Sequence, residues 1–313
     1  MPTAFMAALG GGAVSALLYV SVVFAGVGAL ILGYLAPLPL LLVGLWFGFA
    51  ATTAAGVVGA MLVATALGGF MGPLGYVLTG AVPAALVARQ ALLARQTETG
   101  DVEWYPPGLL LLGLTGFGIA AFFVAVVLAL GEPGGLEGMV RRTLQGMAQR
   151  FAAPGGEPPP PEAFWLAPAL PGLVVVSWLV MTIVNAALAQ GLLMRFGRNR
   201  RPPMRLAELE LPGWVVLAFA GVVAAAMVLP DWLGFLALNV ALVLSLPFGL
   251  AGLSVVHAFA NRQTAKVALL VGFYLFLFLF GWPILLMIGL GVIEQWIGLR
   301  RRWARVGPDQ EDE

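Results

Sequence analysis

The first aspartate, glutamate, lysine, arginine or histidine in this chain is Arg89, and charge-free stretches recur at 106–131, 163–194, 211–230, 232–256 and 267–293. A charged side chain at the centre of a membrane helix costs about 2.5–3.5 kcal/mol on insertion scales, so long uncharged apolar runs are what a bilayer selects. With 61% hydrophobic and 10% charged residues and a mean hydropathy of +0.97, the chain has too little polar surface to enclose a core in water. A lipid-spanning β-barrel would show short segments of alternating polarity, whereas these runs are continuously apolar and long enough for helices. The fold class expected is all-α: a polytopic transmembrane helical bundle. There are no cysteines, which excludes disulfides, thiolate catalysis and cysteine-ligated metals.

Cutting the runs at proline, glycine and charge gives about eight to ten spans, with limits near 4–30, 36–50, 51–69, 72–92, 106–131, 165–194, 212–230, 233–259, 265–281 and 283–299. The first run starts almost at Met1 without a basic n-region or a clear small-residue cleavage site, so it is expected to be a retained span. The 36–50 segment opens on Ala36-Pro37-Leu38-Pro39 and has the length of a half-helix or re-entrant piece. Spans 265–281 and 283–299 are divided only by Trp282-Pro283, where a proline that cannot continue the hydrogen-bond ladder favours a hairpin or a kink.

Fifteen of the sixteen basic residues are arginine, and their clustering orients the bundle through the positive-inside rule. Arg195, Arg198, Arg200, Arg201 and Arg205 mark the 195–210 loop as cytoplasmic. Arg262 with Lys266 marks 260–266, and Arg300, Arg301, Arg302 and Arg305 mark the C-terminus. Arg89 and Arg95 place 93–105 on the same side, and an even number of earlier spans puts the N-terminus there too. The expected organisation is an N-terminal half 1–92, a cytoplasmic linker 93–105, and a C-terminal half 106–313 carrying an outer segment 132–164.

That outer segment holds Arg141, Arg142 and Arg150 against Glu132, Glu137, Glu157 and Glu162. Leu136, Val140, Thr143 or Leu144, Met147 and Phe151 recur near helical spacing, opposite Glu137, Arg141, Gln145 and Gln149, the pattern of an amphipathic helix on a membrane surface. The run Pro158-Pro159-Pro160-Pro161 then acts as an extended spacer returning the chain to the membrane.

Few residues offer chemistry. Trp178, Thr182, Asn185 and Ala189 lie in a narrow arc of one helix, a neutral polar and aromatic strip that either lines a solute cavity or ties helices together; Asn239 reads the same way. Ala7, Gly11 and Ser15, with Ala8, Gly12 and Ala16 beside them, form a small-residue face suited to close helix approach, either within the chain or to a partner subunit. His257, the only histidine, lies near the cytoplasmic end of its span with Arg262 close by. A lone histidine makes a poor metal site, and no metal or cofactor is expected. Glu294 and Trp296 precede Arg300 and Arg301, where ion pairing or a coupling contact at the cytoplasmic face is open to them. Asp231 follows Pro230 in a tight outer turn and reads as a helix cap.

Absences narrow the function further. Without a phosphate-binding loop, and with Lys266 as the single lysine, ATP-driven work would need a partner. No mid-membrane carboxylate pair, arginine ladder or hydrolase signature occurs, so a self-contained pump, voltage sensor or enzyme is disfavoured, and nothing favours nucleic acid.

The pattern Gly249-Leu250-Ala251-Gly252-Leu253-Ser254-Val255-Val256-His257, the Trp282-Pro283 break, and Gly291-Val292-Ile293-Glu294-Gln295-Trp296 before Arg300 resembles the YybS-like bacterial membrane proteins, a family of unknown function designated DUF2232. The resemblance implies an acidic residue and a tryptophan ahead of a basic end, here Glu294 and Trp296, and residence in a bacterial cytoplasmic membrane. In the first third, Pro37-Leu38-Pro39, Gly44-Leu45-Trp46-Phe47-Gly48 and Ala54-Ala55-Gly56-Val57-Val58-Gly59 are similar to the S components of energy-coupling-factor transporters, a general pattern shared by rod-shape proteins of the MreD type. That similarity implies a docking face at Ala7, Gly11 and Ser15 for a membrane coupling subunit, though the extra spans and the 132–164 segment depart from the six-helix plan. The function expected is therefore a small-molecule binding or transport subunit lacking its own ATPase, with a non-transporting scaffold for envelope or cell-shape machinery as the alternative. Both sit among membrane lipids.

Overall fold

The computed structural model describes residues 2–24, 27–151, 160–206, 209–300 and 302. Its helices are α1 (Pro2–Val20), α2 (Val27–Tyr34), α3 (Pro37–Phe47), α4 (Phe49–Leu67), α5 (Met71–Tyr76) running through a π-helical turn Val77–Ala81 into α6 (Val82–Ala91), α7 (Pro107–Leu128), α8 (Gly135–Phe151), α9 (Leu170–Arg195), α10 (Trp214–Val228), α11 (Asp231–Ala260), α12 (Lys266–Phe280) and α13 (Pro283–Ile297). Among the described residues six helical stretches are long and apolar enough to cross a bilayer, and four shorter apolar stretches accompany them at Ile31–Phe47, Trp214–Val228, Lys266–Phe280 and Pro283–Ile297. The polytopic all-α bundle follows directly from the charge-free runs. Arg301, Arg305, Pro158 and Pro159 lie outside the described residues.

One span differs from expectation, and one short segment has the half-helix length expected of it. The 4–30 span is not one helix: α1 ends at Val20, a 3₁₀ turn covers Ser21–Phe24, and a separate helix starts at Val27. The 36–50 segment is α3, eleven residues and so about 16 Å long, too short for a core of about 30 Å. Pro37 supplies no N–H and its ring clashes with the carbonyl four residues back, which breaks the ladder and leaves the Leu35-Ala36 turn between α2 and α3. At the other end Gly48 takes φ 103°, ψ 178°, a backbone closed to other residues, and α4 begins at once.

By packing, the chain forms two compact units, Met1–Phe117 with Ser177–Met204, and Gly118–Val176 with Arg205–Glu313. Residues of α7 and α9 belong to both.

In the first unit α1 lies against α3 and α4. Glycine makes this possible: a Cβ on Gly11 would meet Val43 Cγ2 at 2.6 Å, and one on Gly12 would strike the carbonyl oxygen of Ala55. Lipid gives helices little hydrophobic reason to associate, so such van der Waals contact between small faces is the main cohesive term. Phe5, Met6, Leu9, Val14 and Leu17 on α1 are exposed, as lipid-facing residues are. The 93–105 linker is a short antiparallel hairpin, β1 (Ala94–Gln96) with β2 (Val102–Trp104), turned by Thr97, Asp101 and Gly100.

In the second unit α11 packs most closely on α13 and then on α10. Gly252 and Gly291 interlock: a Cβ on either would run into a backbone carbonyl opposite, of Met287 and Phe248 respectively. The Phe219 and Phe248 rings, 4.9 Å apart, join α10 to α11. The expected amphipathic helix is α8. Leu136 is buried with Phe122 and Ala129, and Val140 packs against them. Two of the three arginines that break the positive-inside pattern are paired, Arg141 with Glu137 and Arg142 with Glu132, each at 3.0 Å.

Candidate functional site

The polar strip of α9 satisfies backbone groups. Pro83 has no N–H for the carbonyl of Thr79 one turn earlier, and the indole N–H of Trp178 donates to that carbonyl at 2.8 Å. Asn185, fully buried, donates from Nδ2 to the carbonyls of Tyr34 and Met181, both at 2.8 Å. Tyr34 is the last residue of α2, so its carbonyl is one a helix end leaves without an intrahelical partner. Thr182 turns back on its own helix, bonding Trp178 O at 3.0 Å, and Ala189 is fully buried. Asn239 plays the same part in the second unit. Its Oδ1 accepts the Gly172 N–H in the first turn of α9 at 2.6 Å, while its Nδ2 donates to Pro168 O and Phe235 O. In hydrocarbon each of these groups, unpaired, would cost several kcal/mol.

The small-residue face of α1 is likewise engaged within the chain. Ser15 is buried and donates to Ala36 O at 2.6 Å, and the hydroxyl of the fully buried Tyr76 donates to Ser15 Oγ at 2.9 Å. Tyr76 fits because Gly59 has no Cβ; one there would overlap the phenol oxygen. Gly11 faces Val43, and Ala7 is half-buried.

The residues expected at the cytoplasmic face are set differently from one another. Glu294 is 5% exposed and accepts the Leu299 N–H at 2.8 Å, the Arg300 N–H at 3.3 Å and Arg300 Nε at 2.8 Å. Arg300 Nη2 donates onward to Leu209 O at 2.8 Å, and Gln295 Nε2 to Leu211 O at 2.9 Å. The turn that allows this passes through Gly298 in the left-handed conformation, φ 62°, ψ 47°. Glu294 thus pins the end of α13, through Arg300, to Leu209. Trp296 is exposed at the same end. His257 Nδ1 donates to Leu253 O at 3.0 Å, and its Nε2 lies 3.3 Å from the Tyr274 hydroxyl. Asp231 departs from the expected cap role: it opens α11 at φ 51° after Pro230 and makes no capping hydrogen bond.

Sequence reasoning counted the arginines of the 195–210 loop and did not separate them by role. Arg201 is buried, its guanidinium donating to Ala91 O at 3.2 Å and Tyr105 O at 2.8 Å and lying 5.8 Å from the Trp104 ring centroid. Its own carbonyl accepts Gln190 Nε2 and Asn199 Nδ2. The ends of α6 and α9, the hairpin and the start of α7 therefore meet on one side of the first unit, the side that the arginines mark. There a cleft of about 380 Å³ is lined by Trp46, Phe47, Gly197, Arg198, Asn199 and Arg200. The Arg198 guanidinium sits 5.2 Å from the Trp46 ring centroid, and Trp46 stacks on Phe47 at 4.5 Å.

Uncharged spanning helices, buried amides that serve broken backbone, glycine-mediated helix contact and arginine-bearing ends define an integral, multi-pass helical membrane protein. Within that class, residues 165–294, from just ahead of α9 to Glu294, match the family of predicted membrane proteins DUF2232. The match covers the Gly252, His257 and Gly291 pattern. No curated protein and no solved structure matches the chain.

Proposed function

We propose that the protein is a non-transporting scaffold in a bacterial cytoplasmic membrane, with both termini inside, which holds envelope or cell-shape proteins through its arginine-bearing face. The observation that carries this reading is the use made of Trp178, Thr182, Asn185 and Asn239. The residues best suited to line a solute path are buried or half-buried and bond to helix backbone. Openings of about 380 and 370 Å³ lie instead beside the arginine loop and beside the hairpin, where Arg95 and Glu103 pair on the surface. The small-residue face that would dock a coupling subunit is turned toward α3 and α4. As a scaffold the chain needs no catalytic group and no cofactor, only lipid and protein partners.

Mild-detergent affinity purification from native membranes, with mass spectrometry of both proteins and small molecules, tests this. The expected result is co-purification of envelope-assembly or cell-shape proteins without a stoichiometric solute. Recovery of an ATPase with its membrane coupling subunit, or of a bound solute that Asn185→Leu abolishes, would replace the scaffold by a transport subunit.

A further inference from the structure

We infer that the cleft between Trp46, Arg198 and Arg200 binds a phosphate group, delivered as the headgroup of an anionic membrane lipid. The inference rests on the reading of the arginine-bearing side as the working surface and names what that surface holds.

Three observations converge on it. Arg198 and Arg200 face one cleft, and among the described residues the ion pairs are Arg95–Glu103, Arg141–Glu137, Arg142–Glu132 and Arg300–Glu294, so no described carboxylate pairs with either. The Arg198 guanidinium lies over the Trp46 ring, 5.2 Å from its centroid, and a guanidinium held on an aromatic ring keeps N–H donors of the kind that pair with phosphate oxygens. Gly48 completes the opening: with no side chain there, Arg200 Nη1 comes within 3.4 Å of the position a Cβ would hold.

The loop is also held in place before any ligand arrives. Arg201, one residue on, is anchored to Ala91 O and Tyr105 O, and its carbonyl takes hydrogen bonds from Gln190 and Asn199. Fixing the backbone beside Arg198 and Arg200 reduces the ordering cost of binding. Trp46 ends the apolar α3 next to these charges, the level at which interfacial tryptophans and lipid phosphates coincide.

The test uses the full-length protein in nanodiscs and in detergent. Native mass spectrometry should show one phosphatidylglycerol retained in preference to phosphatidylcholine, with retention falling about tenfold or more in the double substitution Arg198→Gln/Arg200→Gln, because charge-assisted hydrogen bonds are lost. Arg95→Gln, in the exposed hairpin, should leave retention unchanged. Trp46→Leu keeps both charges and should weaken retention severalfold through the lost cation–π contact. Inorganic phosphate at millimolar concentration separates the sources: lipid retention that it does not reverse supports the headgroup, whereas phosphate binding in detergent with no lipid preference, abolished by the same double substitution, keeps the phosphate site and assigns it a soluble ligand. Equal retention of the two lipids with no phosphate binding, or binding unchanged in the folded double variant, overturns the site. These readouts need no protein partner, so failure of the lipid site and failure of the scaffold reading are distinguishable.

Discussion

The Trp178 indole N–H donates to the Thr79 carbonyl oxygen, the acceptor that Pro83 cannot serve from within its own helix. The π-helical turn at Val77–Ala81 lies at the same break, with the Val82 N–H reaching back to Val77 O. A proline within an apolar span is tolerable only if something else satisfies the freed backbone, and here an aromatic side chain from a segment remote in sequence does so. The same principle accounts for Asn185 at the end of α2 and for Asn239 at the start of α9.

Replacing those asparagines by leucine should therefore cost stability. Asn185→Leu is expected to lose about 1–2 kcal/mol and Asn239→Leu about 2–4 kcal/mol, the latter more because it strips one acceptor and two donor contacts and crowds Gly172. Thermal unfolding in a fixed detergent, followed by size-exclusion loss, measures both. Co-purifying proteins should be unchanged for Asn185→Leu.

Glycines in the apolar helices should separate into two groups. Gly252→Ala and Gly291→Ala, which push a methyl into an opposing carbonyl, should destabilise by about 2–4 kcal/mol. Gly272→Ala and Gly289→Ala, with nothing within 4 Å, should be neutral or stabilising by up to about 1 kcal/mol through the helix preference for alanine. The same melting assay reports the contrast; equal effects in the two groups would mean that α11 and α13 do not interlock.

Glu294→Gln should destabilise by about 3 kcal/mol, since the Glu294 and Arg300 side chains are only 5% and 13% exposed and the variant leaves a buried cation facing a neutral amide. Glu103→Gln, in the exposed pair with Arg95, should leave the melting temperature unchanged. Limited proteolysis near Leu209 and Leu211 provides an independent readout, because loosening of Gln295 and Arg300 from their carbonyls frees that backbone.

Much of the bundle was legible because hydrocarbon imposes a rule that composition cannot disguise: every span shows as a run without charge. The amphipathic α8 was legible from its apolar spacing, and Glu294 with Arg300 from proximity of opposite charge. Interior roles were not. Trp178, Thr182 and Asn185 share a helical face whether they line a cavity or mend backbone, and only the position of Thr79 and Tyr34 decides between these uses. The clue that was present and unused is Pro83, whose missing N–H announces an orphan carbonyl at Thr79. The hairpin at 94–104 was hidden by strands of three residues, too short to show alternation. Arg201 looked like its neighbours Arg198 and Arg200, since burial of one arginine in a cluster depends on carbonyls brought in from Ala91 and Tyr105.

The most direct test of the account is a double-mutant cycle between Pro83→Ala and Trp178→Phe, read as unfolding free energy in detergent. Alone, Trp178→Phe should cost about 1–2 kcal/mol by leaving Thr79 O without its donor. In the Pro83→Ala background, where the substituted backbone regains an N–H for that carbonyl, the cost should fall by at least about 0.5 kcal/mol, a coupling of the size expected for groups sharing one partner. Additive effects would contradict the claim that the polar interior of this protein exists to complete its broken helices.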